Sequence, residues 1–466
     1  MDKLTEILFE DRPVPLTKTI SNANENTFSI LIGKNGVGKS RLLTEIINHY
    51  SKIYSEEKNS FRQLYSKTPS TIISVSTSPF DKFPLPITMK HRQVRNYHYV
   101  GMRGQPVYAN NAMALISSAA MRLLTKYRQN SRHENFYEVF SLLGLSPSLS
   151  FVFKINIKKS LEIKIRNTTQ DHLFELDYED TGVIWFDMLG EPDDITMEEL
   201  LDPKIYEEYT LQSPERKRSI AKSLNYIWER LDRKKDALFK YDFKYRKNTK
   251  QGAEDIYMIE SLITLLELGA LKLIDLKLTK NIKGNSQELS LRRASSGEQC
   301  LLVIILGIAG SIENNTLILI DEPEISLHPS WQEKFMDLLI KVFADYEKCH
   351  FIIATHSPQI VSRLSSENCF ITIMGENKIY EAKEYYNRSA DFQLTELFDA
   401  PGIMNEYITR LGFQLLTKVK NKKFMESEDW DNLEKLKEFL KKLDSTDPNS
   451  KLIETVIEVC ELYASN

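Results

Sequence analysis

Cysteine is scarce in this chain of 466 residues: Cys300, Cys349, Cys369 and Cys460 stand far apart, with no Cys-x-x-Cys pair. A disulfide framework or a thiolate zinc site is therefore not expected, and the eight dispersed histidines supply no metal-ligand spacing either. Long apolar runs are also missing. No window approaches the roughly eighteen uninterrupted apolar residues of a membrane-spanning helix. The segment MDKLTEILFEDRPVP carries acids where an export signal has a cationic and then an apolar stretch. The expectation is a cytoplasmic chain with reduced thiols and no membrane contact. Charge of one sign is lacking too, since 61 Lys+Arg against 65 Asp+Glu leave a formal net charge of −4, which excludes a histone-like or polyacidic protein. With 42% hydrophobic residues the chain is too apolar to be disordered, and it is long enough for one elaborated domain or two.

The small net charge is a cancellation. Thirteen acidic residues and one basic residue, Lys204, lie between Glu175 and Glu208, while thirteen basic and four acidic residues lie between Arg216 and Lys250. In the basic block Tyr226, Trp228, Phe239, Tyr241, Phe243 and Tyr245 interleave with Arg230, Arg233, Lys234, Lys235, Lys240, Lys244, Arg246 and Lys247. That composition suits phosphate contact plus stacking, so residues 216–250 could meet nucleic acid or an acidic protein. Equally, they could be a solvated face paired with the chain's own acidic block.

The most specific local pattern is TFSILIGKNGVGKSRLL. A β-suited apolar run, Phe28 to Ile32, leads into Gly33-Lys34-Asn35-Gly36-Val37-Gly38-Lys39-Ser40 and then, through Arg41, into a helical pattern. This is G-x-x-x-x-G-K-S in its strand–loop–helix setting. Glycines let backbone N–H groups close around phosphate oxygens, and the helix aims its positive dipole end at them. Lys39 would reach the β- and γ-phosphates and Ser40 would ligate Mg²⁺. Far downstream, the apolar run Leu317 to Ile320 ends in Asp321-Glu322. Carboxylates at the C-terminal end of a buried parallel strand sit beside bound phosphates in a doubly wound sheet. Asp321 would join the metal shell and Glu322 would orient the attacking water. A third run, Phe351 to Ala354, ends before His356, whose imidazole could hydrogen-bond the γ-phosphate. The catalytic candidates are therefore Lys39, Asp321, Glu322 and His356, with Ser40 and Asp321 for the metal.

Between these motifs lies Leu291-Arg292-Arg293-Ala294-Ser295-Ser296-Gly297-Glu298-Gln299, followed by the apolar stretch CLLVIILGIAG. A small-residue turn that opens a helix makes Ser295, Ser296, Gly297 and Glu298 a second anion site; capping alone would also explain the serines. The segment resembles the signature motif of ABC-type ATPases in the form used by their SMC/OLD-like branch, with Ala294 and Ser296 where that family more often has Leu and Gly. Pro323-Glu324-Ile325-Ser326-Leu327-His328-Pro329 resembles the same branch and differs from the transporter motors. The resemblance implies ATP and Mg²⁺ as cofactors. It also implies a head-to-tail dimer in which Ser295 and Gly297 of one copy cap the ATP held by the other. The family's phosphate-sensing glutamine falls on Gln93 or Gln105, with Gln105 favoured.

The fold expected is α/β: an ABC-type P-loop ATPase core with an inserted α/β lid subdomain and a helical C-terminal extension. Residues 1–128 and 286–385 would form the core, 129–285 the insertion, and 386–466 the extension. The insertion shows no sustained heptads. Phe151 to Ile157 and Leu161 to Ile165 alternate with period two and read as a β-hairpin, with helices expected at Asn110 to Tyr127 and Ala221 to Leu238. In the extension, Asp429-Trp430-Asp431 has a nuclease-like spacing but polar, helical flanks that argue against metal binding. Leu433, Leu436, Leu440 and Leu443 form an apolar stripe suited either to docking or to internal packing.

Over Thr27–Arg41 and Leu291–Leu364 the chain is most similar to the ATPases of PARIS-type anti-phage systems, with Septu- and retron-associated ATPases next. The resemblance implies a sensor and switch that oligomerises with itself and holds, then releases, a separate TOPRIM-like nuclease effector. The trigger would be a phage-encoded anti-restriction protein, including acidic DNA mimics. No nuclease activity of its own is expected. A DNA-repair ATPase that binds DNA directly is the alternative.

Overall fold

The computed structural model of the chain describes residues 4–18, 24–56, 68–85, 96–103, 111–128, 140, 144–156, 183–187, 192–228, 230, 238–244, 253–282, 285–364, 367–376, 378–422 and 424–464. They divide into two compact units: Met1–Pro69 with Leu319–Ile340 and Glu347–Asn466, and Ser70–Ile318 with Lys341–Tyr346.

In the first unit the run TFSILI forms the strand Thr27–Ile32, every residue of which is buried. A strand covered on both faces belongs in a parallel sheet. Both neighbours are indeed parallel: His350–Ala354, with His350 opposite Thr27 and Ala354 opposite Leu31, and Cys369–Ile373, with Cys369 opposite Phe28. Lys378–Glu381 closes one edge in antiparallel register. The Leu319–Asp321 end of the strand Thr316–Asp321 lies beside His350–Ala354. Parallel register brings the C-terminal ends of these strands to one side, where Gly33, Glu322 and Thr355 follow. Ser29, inside the sheet, is paired: its Oγ donates to Leu16 O at 2.7 Å, so its contact with His350 Nε2 at 2.8 Å makes that ring nitrogen the donor. The helix Lys39–Glu56 buries Leu42, Leu43, Ile46 and Ile47 completely, the repeat of an amphipathic helix lying on a sheet. Ahead of the strand, Glu6–Phe9 and Arg12–Pro15 pair as a hairpin whose two turn residues, Glu10 and Asp11, both have positive φ.

The C-terminal part of this unit is helical. Glu406–Lys422, Ser427–Leu440 and Pro448–Ala464 share a core of Ile408, Leu411, Leu415 and Val419, of Leu433, Leu436 and Phe439, and of Ile453, Val456 and Cys460. The leucine stripe therefore packs internally: Leu433 and Leu436 are fully buried, and Leu440 and Leu443 lie partly buried against the same cluster. Asp429 closes a capping box with Glu426 and accepts from Lys418 at 2.9 Å, so helix capping accounts for that carboxylate. Leu436→Ala should cost about 2–5 kcal/mol in chemical denaturation, the usual penalty for emptying a fully buried leucine site.

In the second unit four antiparallel strands run in the order Asn285–Ser290, Leu271–Ile282, Leu145–Ile155, Leu238–Lys244. Register lines up the buried face, with Phe153 between Leu273 and Phe239, and Leu149 between Leu278 and Phe243. The period-two alternation of Phe151 to Ile155 thus marks a strand, but the predicted hairpin with Leu161 to Ile165 is not its pairing. Both edges of Phe151–Lys154 are occupied by strands distant in sequence, and alternation specifies which face is buried without specifying the partner. Residues 161–165 themselves lie outside the described residues. The two expected helices run as Asn111–Arg128 and Pro214–Trp228; the second begins and ends earlier than its apolar pattern implied. A third, Ala253–Leu268, accompanies them.

The described part of the basic block lies on one helix and one strand. In the strand Leu238–Lys244 the aromatics Phe239, Tyr241 and Phe243 fall on one face and Lys240 and Asp242 on the other, with Phe239 and Phe243 buried and Lys240 and Asp242 exposed. Trp228 is buried at the end of its helix, and the Arg230 guanidinium lies 3.7 Å from the centre of the Tyr226 ring. Within Leu238–Lys244 the interleaving of rings and cations is the in–out alternation of a half-buried strand. Arg216 pairs with Glu267, Arg230 with Glu254, and Lys240 with Asp242 and Glu288, all carboxylates outside the 175–208 block. Tyr245, Arg233, Lys234, Lys235, Arg246 and Lys247 lie outside the described residues.

Candidate nucleotide site

The phosphate loop forms because its residues permit it. Gly36 and Gly38 adopt φ of +83° and +95°, a region that side chains with Cβ rarely enter. A Cβ on Gly38 would also come within 2.9 Å of Phe9 Cζ in the N-terminal hairpin. The helix starts at Lys39, whose first turn leaves backbone N–H groups free for phosphate oxygens. Lys39 is only 5% exposed. Its Nζ donates to Gly33 O at 2.9 Å and to Lys34 O at 3.3 Å, and sits 3.4 Å from His356 Nδ1. Burial lowers the Lys39 pKa against the pull of Glu322, Glu324 and Asp321.

The strand-end residues meet this lysine. Ser40 Oγ donates to Asp321 Oδ1 at 3.0 Å, and Asp321 is 4% exposed. Glu322 has φ of +47°, an uncommon conformation for a residue with a Cβ, and its N–H donates to Ala354 O at 2.9 Å. This ties the carboxylate strand to the histidine strand. His356 Nε2 lies 3.6 Å from Glu322 Oε1. Burial, and then the Lys39 charge, lower the His356 pKa, while Glu322 opposes them. The net direction favours the neutral ring. With Nδ1 accepting from Lys39, its proton sits on Nε2, facing Glu322.

The remaining candidates separate. Lys34, Asn35 and Gly36 are exposed, and Val37 is half-buried. Lys34 Nζ pairs with Asp399 Oδ2 at 3.0 Å, and Lys442 of the helical extension holds the same carboxylate. Arg41 pairs with Glu10 at 2.7 Å and lies over the Phe9 ring. Ser295, Ser296, Gly297 and Glu298 belong to the second unit. There Ser295 N-caps the helix Ser296–Ala309, accepting from Glu298 N and donating to Glu298 Oε2 at 3.0 Å. Ser295 and Ser296 are exposed at that N-terminus, and Gly297 is buried. At the far end of the same helix, buried Lys126 donates to Ala309 O and Ile312 O, both at 2.9 Å, complementing the negative dipole end. Gln93 and Gln105 lie outside the described residues.

Residues 134–362 match a family described as "AAA domain, putative AbiEii toxin, Type IV TA system". The "Retron Ec83 probable ATPase" of Escherichia coli is 30% identical over 126 residues, covering 25% of this chain and 22% of that protein. The "Retron Vc95 probable ATPase" of Vibrio cholerae is 27% identical over 187 residues, covering 38% of this chain and 33% of that protein. The alignments thus span a third or less of the relatives' own length. They support a P-loop ATPase-type domain of mixed α/β structure. The family match begins after the phosphate loop and takes in the segments of the signature, Asp321-Glu322 and His356. Among the described residues no helix is long and apolar enough to cross a membrane.

Several residues around this constellation carried no assignment in the sequence. Glu324 is one: its Oε1 accepts the backbone N–H of His356 at 2.5 Å, and burial raises its pKa. Phe9, Glu10 and Asp399 are others, each touching the phosphate loop from a distant segment. Only Glu324 left a trace, as the third acid of the DEPE run; the rest are tertiary contacts without a local pattern.

Proposed function

We propose that this chain binds and hydrolyses ATP as an ABC-type ATPase of the SMC/OLD-like branch, and acts as sensor and switch in bacterial anti-phage defence. The observation that carries the reading is the contact of Lys39, Ser40, Asp321, Glu322 and His356 within one unit, on the side where parallel strands end. Ser40 and Asp321 offer a hydroxyl and a carboxylate, the hard oxygen donors that suit Mg²⁺. Bound there, the ion would supply charge neutralisation at the phosphate oxygens.

The chain's own groups would then act as follows. Lys39 exchanges the carbonyls of Gly33 and Lys34 for the β- and γ-phosphate oxygens. Glu322 orients the attacking water and takes its proton. Neutral His356 donates from Nε2 to the γ-phosphate, and Ser295 and Gly297 of a second copy cap it from the opposite side. ATP thus holds a head-to-tail dimer, or a larger homo-oligomer, and hydrolysis resets it. In the PARIS-like reading this cycle retains and then frees a separate TOPRIM-like nuclease when a phage anti-restriction protein, such as an acidic DNA mimic, is sensed. The retron relatives favour a second reading, a Septu/retron-type nuclease complex with the same ATPase cycle. Direct DNA contact through residues 216–250 belongs to a repair-type alternative.

Phage plating on cells carrying the gene in its native locus tests the defence role. The wild-type locus is expected to lower plaquing and to lose that protection with Lys39→Ala. Equal plaquing with and without the intact gene would overturn it. Copurification with the tagged chain separates the two effector readings: a TOPRIM-like nuclease supports the first, and a partner nuclease of another type the second.

A further inference from the structure

Glu324 lies on the 3-10 turn Pro323–Ser326, just past the strand-end carboxylates, and phosphate chemistry assigns it no role. Its Oε1 accepts the backbone N–H of His356 at 2.5 Å. A second tie runs in parallel. Gln332 Nε2 donates to Leu327 O at 2.9 Å, at the end of the turn, while Gln332 Oε1 accepts from Ser357 Oγ at 2.7 Å. Ser357 in turn N-caps the helix Pro358–Ser362. The turn that leaves Glu322 is therefore fastened to the backbone of His356 and to the side chain of Ser357. The imidazole of His356, set by that backbone, reaches Lys39 on one side and Glu322 on the other.

We infer that Glu324 is a positioning residue which, with Gln332, holds the His356 backbone so that the imidazole stays in register with Lys39 and Glu322. The inference rests on the reading of His356 as the γ-phosphate contact. A hydrogen bond from a backbone N–H to a carboxylate is stronger and shorter than one to a neutral acceptor, and rotation of the 356 peptide would carry the ring away from both partners. Misplacement of a reacting-site group by about an ångström can cost on the order of a hundredfold in rate. Substrate affinity, set mainly by the phosphate loop, is not expected to follow.

Phosphate release and binding of a fluorescent ATP analogue, measured on the full chain with Mg²⁺, test this. Glu324→Leu removes the acceptor and is expected to lower kcat roughly ten- to a hundredfold with KM nearly unchanged. Glu324→Gln keeps an acceptor oxygen and should restore most of that loss. Gln332→Leu, which cuts only the second tie, should give a smaller fall in kcat of the same kind. In a His356→Ala background, Glu324→Leu should add no further loss, because the two act as one unit. Wild-type kcat in Glu324→Leu, a rise in KM alone, or additive losses with His356→Ala would overturn the inference. Should Glu324→Leu fail to fold, wild-type kcat in Gln332→Leu or no advantage of Glu324→Gln over Glu324→Ala would do so. A wild-type chain that releases no phosphate refutes the ATPase reading itself and is seen before any variant is made.

Discussion

Glu322→Gln is expected to bind ATP as the wild type does, to release phosphate about 10²–10⁴-fold more slowly, and to accumulate as a dimer or larger assembly. Gln keeps the size of the side chain and an oxygen acceptor but cannot take the proton of the attacking water. The rest of the arrangement survives, because the backbone N–H of residue 322 still reaches Ala354 O, and Ser40 still reaches Asp321. ATP would remain unspent between two copies, one supplying the phosphate loop and the other Ser295 and Gly297. Light scattering in ATP and a phosphate-release assay read the two consequences separately. Equal assembly size for Glu322→Gln and Lys39→Ala in ATP would count against the ATP-bridged dimer, even if turnover falls as expected.

Lys39→Ala is expected to lose nucleotide binding as well as turnover. Its ammonium is almost buried, donates to two loop carbonyls, and is the positive group that faces the Asp321, Glu322 and Glu324 carboxylates. Removing it leaves those carboxylates facing an incoming triphosphate without the Lys39 charge. Loss of one such electrostatic stabiliser costs about 10²–10³-fold in kcat where binding persists. Here weakened ATP binding should compound that loss, so titration with a fluorescent analogue should show affinity falling together with rate. Far-ultraviolet circular dichroism should stay unchanged, since the variant keeps the glycine conformations and the apolar contacts of Leu42, Leu43, Ile46 and Ile47. Wild-type affinity in this variant would remove Lys39 from the nucleotide site.

The residues that meet at the candidate site were legible because each motif is local. A fixed spacing of glycines before Lys39 and Ser40, and polar residues directly after apolar runs at Asp321, Glu322 and His356, need no tertiary knowledge. The parallel register that brings them together follows from strands buried on both faces. What was not legible depends on partners far apart in sequence. Leu145–Ile155 alternates like a hairpin strand, yet its neighbours are Leu238–Lys244 and Leu271–Ile282. Phe239 and Phe243 looked available for stacking, but strand alternation turns them inward. The stripe of Leu433 and Leu436 was compatible with docking or with packing; two further helices decide for packing. Glu324 and Gln332 act through single hydrogen bonds to a backbone N–H and a hydroxyl, and no spacing in the chain announces such contacts.

The most direct measurement is steady-state phosphate release by the purified full chain with ATP and Mg²⁺, beside Lys39→Ala from a parallel preparation. The account predicts turnover by the wild type that requires Mg²⁺ and disappears in the variant. Equal release by the two, or none by the wild type under conditions in which it binds ATP, would contradict it.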